Sequence, residues 1–135
     1  VSDLARVRSE QRGPFCVVRI EGEIDLSNAP DVASAIEGAM PDGATELVVD
    51  LTDTTYLDSS GVGLLVRLAE RLRHRRRRMQ LVVPEGSPIR VALELCGIPQ
   101  IVPVATRVEE LGPEAEPGWS SPGSEAGVGR EEPGR

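Results

Sequence analysis

Between residues 47 and 72 an apolar run passes through a short polar stretch into a helical repeat, and that succession constrains the fold more than any other feature of the chain. Leu47, Val48, Val49 and Leu51 make an apolar run of core-strand length. Asp50, Thr52, Asp53, Thr54 and Thr55 then end it as a polar loop, because their side chains bond nearby backbone. From Val62 onward the apolar residues recur at helical spacing. At about 100° per residue, Val62, Leu65, Val66, Leu68, Ala69 and Leu72 share one broad arc, the face a core-packing helix needs. Gly63, Arg67, Glu70 and Arg71 point elsewhere. Leu64 lies outside the arc beside Arg71, which leaves two readings: an apolar contact offered to a partner, or partial burial under a neighbouring loop. Asp58, Ser59 and Ser60 stand where the helix begins, and any of them can cap it.

The flanking segments extend this unit into a sheet. Residues 4–11 and 15–24 alternate loosely around Gly13-Pro14, with β-formers Phe15, Val17, Val18 and Ile20, so they read as an antiparallel hairpin. Pro30 suits the first turn of a helix whose apolar face is Val32, Ala35, Ile36 and Ala39, and Pro41-Asp42-Gly43 ends it. After the helix at 60–74, strands are expected at 79–83 and 101–104 with a helix at 89–95 between them. Thr106 to Glu109 has capping-box spacing for one more turn. A leading hairpin followed by strand and helix alternation gives an α/β fold, a mixed sheet with right-handed crossovers and helices packed on it.

A chain of 135 residues with 39% hydrophobic content suits one domain with a modest core. Phe15, Tyr56 and Trp119 are its only aromatics, so aliphatic residues must fill that core, and no aromatic platform exists for stacking bases. Residues 109–135 hold seven acids against two arginines, leaving 15 acids against 13 arginines in residues 1–108. That balance disfavours a direct nucleic-acid partner, which needs a positive field. Residues 112–135 contain six Gly, four Pro and three Ser, and are expected to form a disordered acidic tail after a domain at 1–111. Trp119 stands alone there. Cys16 and Cys96 lack metal or redox spacing and read as buried free thiols in a reducing cytosol. No apolar run approaches ~18 residues, so no membrane is expected and the protein is read as cytoplasmic.

Lysine is absent, all 15 basic residues are arginine, and His74 is the only histidine. This removes Schiff-base and phosphate-loop lysines and any two-histidine metal site, so neither a metal nor another cofactor is expected. The serines admit three functions beside plain capping. As a hydrolase nucleophile, Ser59 lacks the Gly-x-Ser-x-Gly turn, and His74 lies 15 residues on, roughly 22 Å along a helix axis. An anion site is opposed by the charge of Asp58, although Gly61 and Gly63 would permit close backbone approach to the helix start. Phosphorylation is the third. A phosphate at a helix start suits the dipole and free amides, so its effect would fall on a partner packed over the surface.

Val49-Asp-Leu-Thr-Asp-Thr-Thr-Tyr-Leu-Asp-Ser-Ser-Gly-Val-Gly-Leu-Leu resembles the signature of STAS domains of the bacterial anti-sigma factor antagonist family, and Gly22-Glu23-Ile24-Asp25 matches its second motif. The resemblance spans residues 4 to about 111. It implies a mixed sheet of four or five strands and a non-enzymatic partner switch in transcription, of the kind used in stress response or sporulation. The unphosphorylated antagonist binds an anti-sigma factor that is also a serine kinase, and so frees the sigma factor. Phosphorylation of the serine after the motif aspartate, here Ser59, inactivates it, and a PP2C-type phosphatase restores it. The resemblance places the partner surface at Asp25, Asp58, Ser59, Ser60, Gly61, Gly63 and Leu64, with Ser60 as the structural cap. A STAS scaffold or nucleotide-sensing module without reversible phosphorylation is the alternative. The family's longer C-terminal helix is cut to little more than one turn here.

Arg71, Arg73, His74 and Arg75 to Arg78 form the one dense basic run. A solvated helix end that complements the dipole accounts for it, with docking to an acidic partner or to the tail as alternatives.

Overall fold

The computed structural model describes residues 4–111. β1 (Ala5–Arg12) and β2 (Phe15–Ile24) form the expected antiparallel hairpin, turning at Gly13. The chain continues through α1 (Ala29–Ala39), β3 (Glu46–Asp50), β4 (Thr54–Leu57), α2 (Ser59–His74), β5 (Arg78–Val82), α3 (Arg90–Leu95) and β6 (Val104–Ala105). Short 3-10 turns occupy Ile98–Gln100 and Val108–Leu111. The sheet runs β1-β2-β3-β5-β6, with every pairing after the hairpin parallel. This is the α/β mixed sheet read from the sequence.

One strand was hidden in the polar stretch. β4 pairs with the last residues of β2, beyond the point where β3 stops, so the long β2 serves both strands in succession along one edge. The two β-branched residues that read as loop formers take part in this pairing. Thr54 is buried and its hydroxyl donates to the Ile20 carbonyl at 2.8 Å, while the Thr55 hydroxyl donates to Gly22. The register shifts at Gly22, whose φ of 107° and whose contact with the Leu4 carbonyl leave no room for a Cβ. The strand expected at 101–104 shrinks to Val104–Ala105, since Pro99 and Pro103 remove two donors and the segment between them coils instead. The capping partner of Thr106 is Glu110, not Glu109: the Thr106 amide and hydroxyl donate to its carboxylate at 3.0 and 2.8 Å.

All three helices bury their apolar faces on one side of the sheet. Val32 and Ile36 of α1, Leu65, Leu68 and Leu72 of α2, and Leu93 of α3 meet Val18, Ile20, Leu47, Val49 and Leu81 there. The buried arc of α2 is Gly61, Leu64, Leu65, Leu68, Ala69 and Leu72, with Val62 and Val66 only half-buried. It is thus turned by about 50° from the arc that the repeat alone suggests. The turn comes from α1, which packs beside α2. Cys16 is buried as expected, and burial raises its thiol pKa, but Cys96 at the end of α3 is exposed. The reading of residues 112–135 as a disordered tail lies outside the described residues.

Candidate functional site

Ile24 of β2 and Leu57 of β4 are register partners in parallel strands, so the residues that follow them, Asp25 and Asp58, emerge together at the same edge of the sheet. The Asp58 amide donates back to the Ile24 carbonyl at 3.3 Å, which fixes the two loops to one another. Both α1 and α2 start from this edge, the end of parallel strands where α/β proteins gather their sites.

The α2 start is closed by Asp58. Its Oδ1 accepts from the amides of Ser60 at 2.9 Å and Gly61 at 3.2 Å. Asp58 is therefore the cap that had been assigned to Ser60, and it wins because a carboxylate satisfies two free amides and complements the dipole at once. Ser59 is the first helical residue and is exposed, and its hydroxyl has no hydrogen-bond partner among the described residues. Ser60 is half-buried and lines a groove between α1 and α2.

The loop before α1 is pinned differently. Asn28 is fully buried without capping the helix: its Oδ1 accepts from the Asp25 amide at 2.9 Å and its Nδ2 donates to the Glu23 carbonyl at 2.8 Å. Asp25 Oδ1 accepts from the Ser27 hydroxyl at 2.6 Å and the Ser27 amide at 2.9 Å. The Ser27 hydroxyl bond, reinforced by the amides, holds the Asp25 carboxyl below its ordinary value, so Asp25 is an anion at neutral pH. With both sides of the loop tied down, Leu26 is held in solvent at 76% exposure.

Two expected surface residues are instead interior. Leu64 is 2% exposed and belongs to the helix-side core, because α1 covers the side of α2 on which it lies. Gly61 is buried too: a Cβ there would sit 2.3 Å from Leu57 Cδ1 and 3.3 Å from Ile24 Cγ2. Its lack of a side chain lets α2 seat on β2 and β4 and does not open a surface for a partner. Gly63 is half-buried, and a Cβ on it would meet the Arg67 guanidinium at 3.1 Å. Ser59, Gly63 and Arg67 follow at intervals of four, so Arg67 folds back along α2 over Gly63 towards the first turn.

Sequence reasoning missed the groove itself, about 530 Å³ between the helices, bounded by Leu26, Pro30, Ala33 and Glu37 on one side and by Ser60, Leu64, Arg67 and Arg71 on the other. Its one sequence signal was a leucine inside the cap-rich stretch 25–28. Arg71 closes the far end through an ion pair with Glu37. His74 ends the helix that Ser59 begins, so no serine–histidine pair forms. Among the described residues no group of His, Cys, Asp or Glu is placed to hold a metal ion, and no helix is long and apolar enough to cross a membrane.

Three comparisons bear on this arrangement. The family model of the STAS domain matches residues 6–111. The anti-sigma-B factor antagonist of Listeria monocytogenes is 32% identical over 85 residues, 63% of this chain and 74% of that protein. Among solved structures, an anti-sigma factor antagonist from Mycobacterium paratuberculosis superposes with a TM-score of 0.72 at 26% identity, covering 82% of this chain and 92% of its own. The antagonist SpoIIAA is matched in two states at 25% identity. Its unphosphorylated form gives a TM-score of 0.63 over 78% of this chain and 93% of its own. The phosphorylated form of SpoIIAA from Bacillus gives 0.58 over 78% and 96%.

Proposed function

From the premise that this chain belongs to the STAS domain family, we propose that residues 1–111 act as an anti-sigma factor antagonist switched by phosphorylation of Ser59. The observation that carries the reading is the state of Ser59: exposed, unbonded among the described residues, and fixed on the first turn of a helix whose next two amides are already held by Asp58. A hydroxyl so placed is open to a kinase without local unfolding. That SpoIIAA, a relative of the same fold, exists in unphosphorylated and phosphorylated forms supports the assignment.

In this reading the partner is an anti-sigma factor that is also a serine kinase, and it rests on the edge formed by Asp25, Asp58, Ser59 and the exposed Leu26. Leu26 supplies the apolar anchor that Leu64, buried beneath α1, does not. Binding releases the sigma factor. A phosphate on Ser59 adds about two negative charges beside Asp25 and Asp58. The helix start and the Arg67 guanidinium over Gly63 would accommodate them within the fold, while a partner seated there would meet a new, strongly hydrated anion. The phosphate thus acts on the complex and not on the domain, and a PP2C-type phosphatase would reset the switch. Such a protein catalyses nothing itself, and it works in the cytoplasm through protein partners.

Incubation with the cognate kinase-type anti-sigma factor and ATP, followed by mapping of the phosphosite, tests the proposal. Phosphate on Ser59, absent from Ser59→Ala, is the expected result. Ser59→Asp should weaken partner binding at least about tenfold, or about 1.4 kcal/mol, while remaining folded. Undiminished binding by Ser59→Asp would remove the switch. The groove between α1 and α2, with Arg67 and Arg71 on its wall, favours as a second reading a module that senses a nucleotide without phosphorylation. Micromolar binding of ATP or GTP by calorimetry, with no partner present, would select it.

A further inference from the structure

Arg67 is the first basic residue of α2, and its charge is unmatched. It is exposed, and among the described residues its guanidinium makes neither a hydrogen bond nor an ion pair. The carboxylates around the start of the helix are already engaged. Asp58 holds the Ser60 and Gly61 amides, Asp25 holds Ser27, and Glu37 across the groove holds Arg71. Glu70, three residues beyond Arg67, is exposed and pairs with nothing among the described residues.

The guanidinium lies back along the helix, over Gly63. A Cβ at Gly63 would be 3.1 Å from Nη1 and 3.8 Å from both Cζ and Nη2. The missing side chain is thus what lets the fork rest there, and it leaves the surface clear towards the helix start. Ser59 is the next residue on that line. Side chains four residues apart stand about 5–6 Å from each other at Cβ and lean towards the helix N-terminus. The Ser59 hydroxyl makes no bond to the fork. A phosphate on it would extend the side chain by two bonds and add three strong acceptor oxygens.

We infer that Arg67 is a built-in receptor for the phosphate on Ser59, its guanidinium pairing with the phosphate oxygens across Gly63. The inference rests on the reading of Ser59 as the phosphorylation site. In that step Ser59 Oγ takes the γ-phosphoryl group of ATP, the hydroxyl proton is lost, and ADP leaves. The planar fork of an arginine meets a phosphate through two parallel N–H bonds, where a lysine would offer a point charge. Arg71 stands one turn further away and is held by Glu37, so it does not share the role. The pairing has two consequences. The phosphate keeps its second negative charge to lower pH, because a neighbouring cation favours the charged form. It is also shielded from a phosphatase, which must break the pair to reach the phosphorus, so Arg67 sets how long the inactive state lasts.

Phosphoserine placed at position 59 during translation, through an expanded genetic code, gives the modified full-length chain without any kinase. Phosphorus NMR then follows the second ionisation of the phosphate, ordinarily near pH 6. The expected midpoint is at least about half a pH unit lower in the chain that keeps Arg67 than in Arg67→Gln, an about threefold weaker hold on the proton. Arg71→Gln removes the same charge one turn further off and should move the midpoint by less than about a third as much. A PP2C-type phosphatase should act several-fold faster on the Arg67→Gln chain, with Arg67→Lys between the two. Equal midpoints with and without Arg67 would overturn the inference. So would equal shifts in the two glutamine variants, since the general field of the arginines would then account for both. A lowered midpoint here, beside a kinase reaction that leaves Ser59 unmodified, would uphold the pairing and remove the switch proposed above.

Discussion

At its N-terminus α2 is gripped by the fold: Asp58 ties down two amides, Gly61 lies against Leu57 and Ile24, and Leu64 is sealed beneath α1. The same 16-residue helix ends among Arg73, His74, Arg75 and Arg76, all exposed and without hydrogen bonds or ion pairs from their side chains to the described residues. The basic run looks uniform in sequence, but its other members are engaged. Arg71 pairs with Glu37, Arg77 donates to the Asp42 carbonyl at 2.9 Å, and Arg78 pairs with Glu46 at 3.0 Å. A site that must present one hydroxyl in a fixed place needs the first kind of end. The second kind adds charge without fixing geometry, as expected of a solvated helix terminus.

The contrast predicts that substitutions at the first end cost more than those at the second. Gly61→Val should have the largest effect, a loss of about 1–3 kcal/mol in urea unfolding, because the new side chain must displace buried Leu57. A cost below a few tenths would show that α2 can shift on the sheet, and the grip described for this end would be wrong. Asp58→Ala should follow at about 0.5–2 kcal/mol, since two amides lose their acceptor. It should also weaken partner binding, by loosening the turn that carries Ser59. Replacing Arg73 and Arg75 together by Gln should move stability by no more than about 0.5 kcal/mol. A larger loss would mean that the basic end is held by contacts beyond the described residues.

How far the sequence disclosed this arrangement depends on whether a pattern was local. The hairpin, the strand at Leu47 to Val49 and the extent of α2 rest on residues that are neighbours in the chain, and they were legible. Leu64 was not, because a helical repeat reports angles within one helix and is blind to the neighbour that decides which flank is covered. α1 makes that choice from more than 20 residues away. β4 was masked because Thr54 and Thr55 serve turns and strands equally well, and only the exposed end of the long β2 settles which. At the candidate site, Asp25, Asp58 and Ser59 come together at one edge of the sheet. Their juxtaposition follows from the Ile24–Leu57 register, which no spacing within the sequence encodes. Leu26 and the groove escaped for the same reason.

One expected effect, at the last turn of α2, has the opposite sign. The Arg77 amide donates to the Leu72 carbonyl at 2.8 Å and the Arg76 amide to the Arg73 carbonyl at 3.0 Å, the paired closure that normally sets a glycine in left-handed conformation after the helix. Here Arg76 takes that conformation, with φ of 59°, and its Cβ crowds the backbone. Glycine would relieve about 1–2 kcal/mol of that crowding and return about 0.4–1 kcal/mol to the unfolded chain as freedom, so Arg76→Gly should raise stability by about 0.5–1 kcal/mol. Arg76→Ala removes the same guanidinium but keeps the Cβ, and it should show no such gain. The difference between the two variants in thermal unfolding therefore isolates the backbone from the charge. If both stabilise equally, repulsion among the arginines governs this end. If neither does, Arg76 holds its conformation through contacts of its side chain, and the basic terminus is as firmly built as the serine-bearing one.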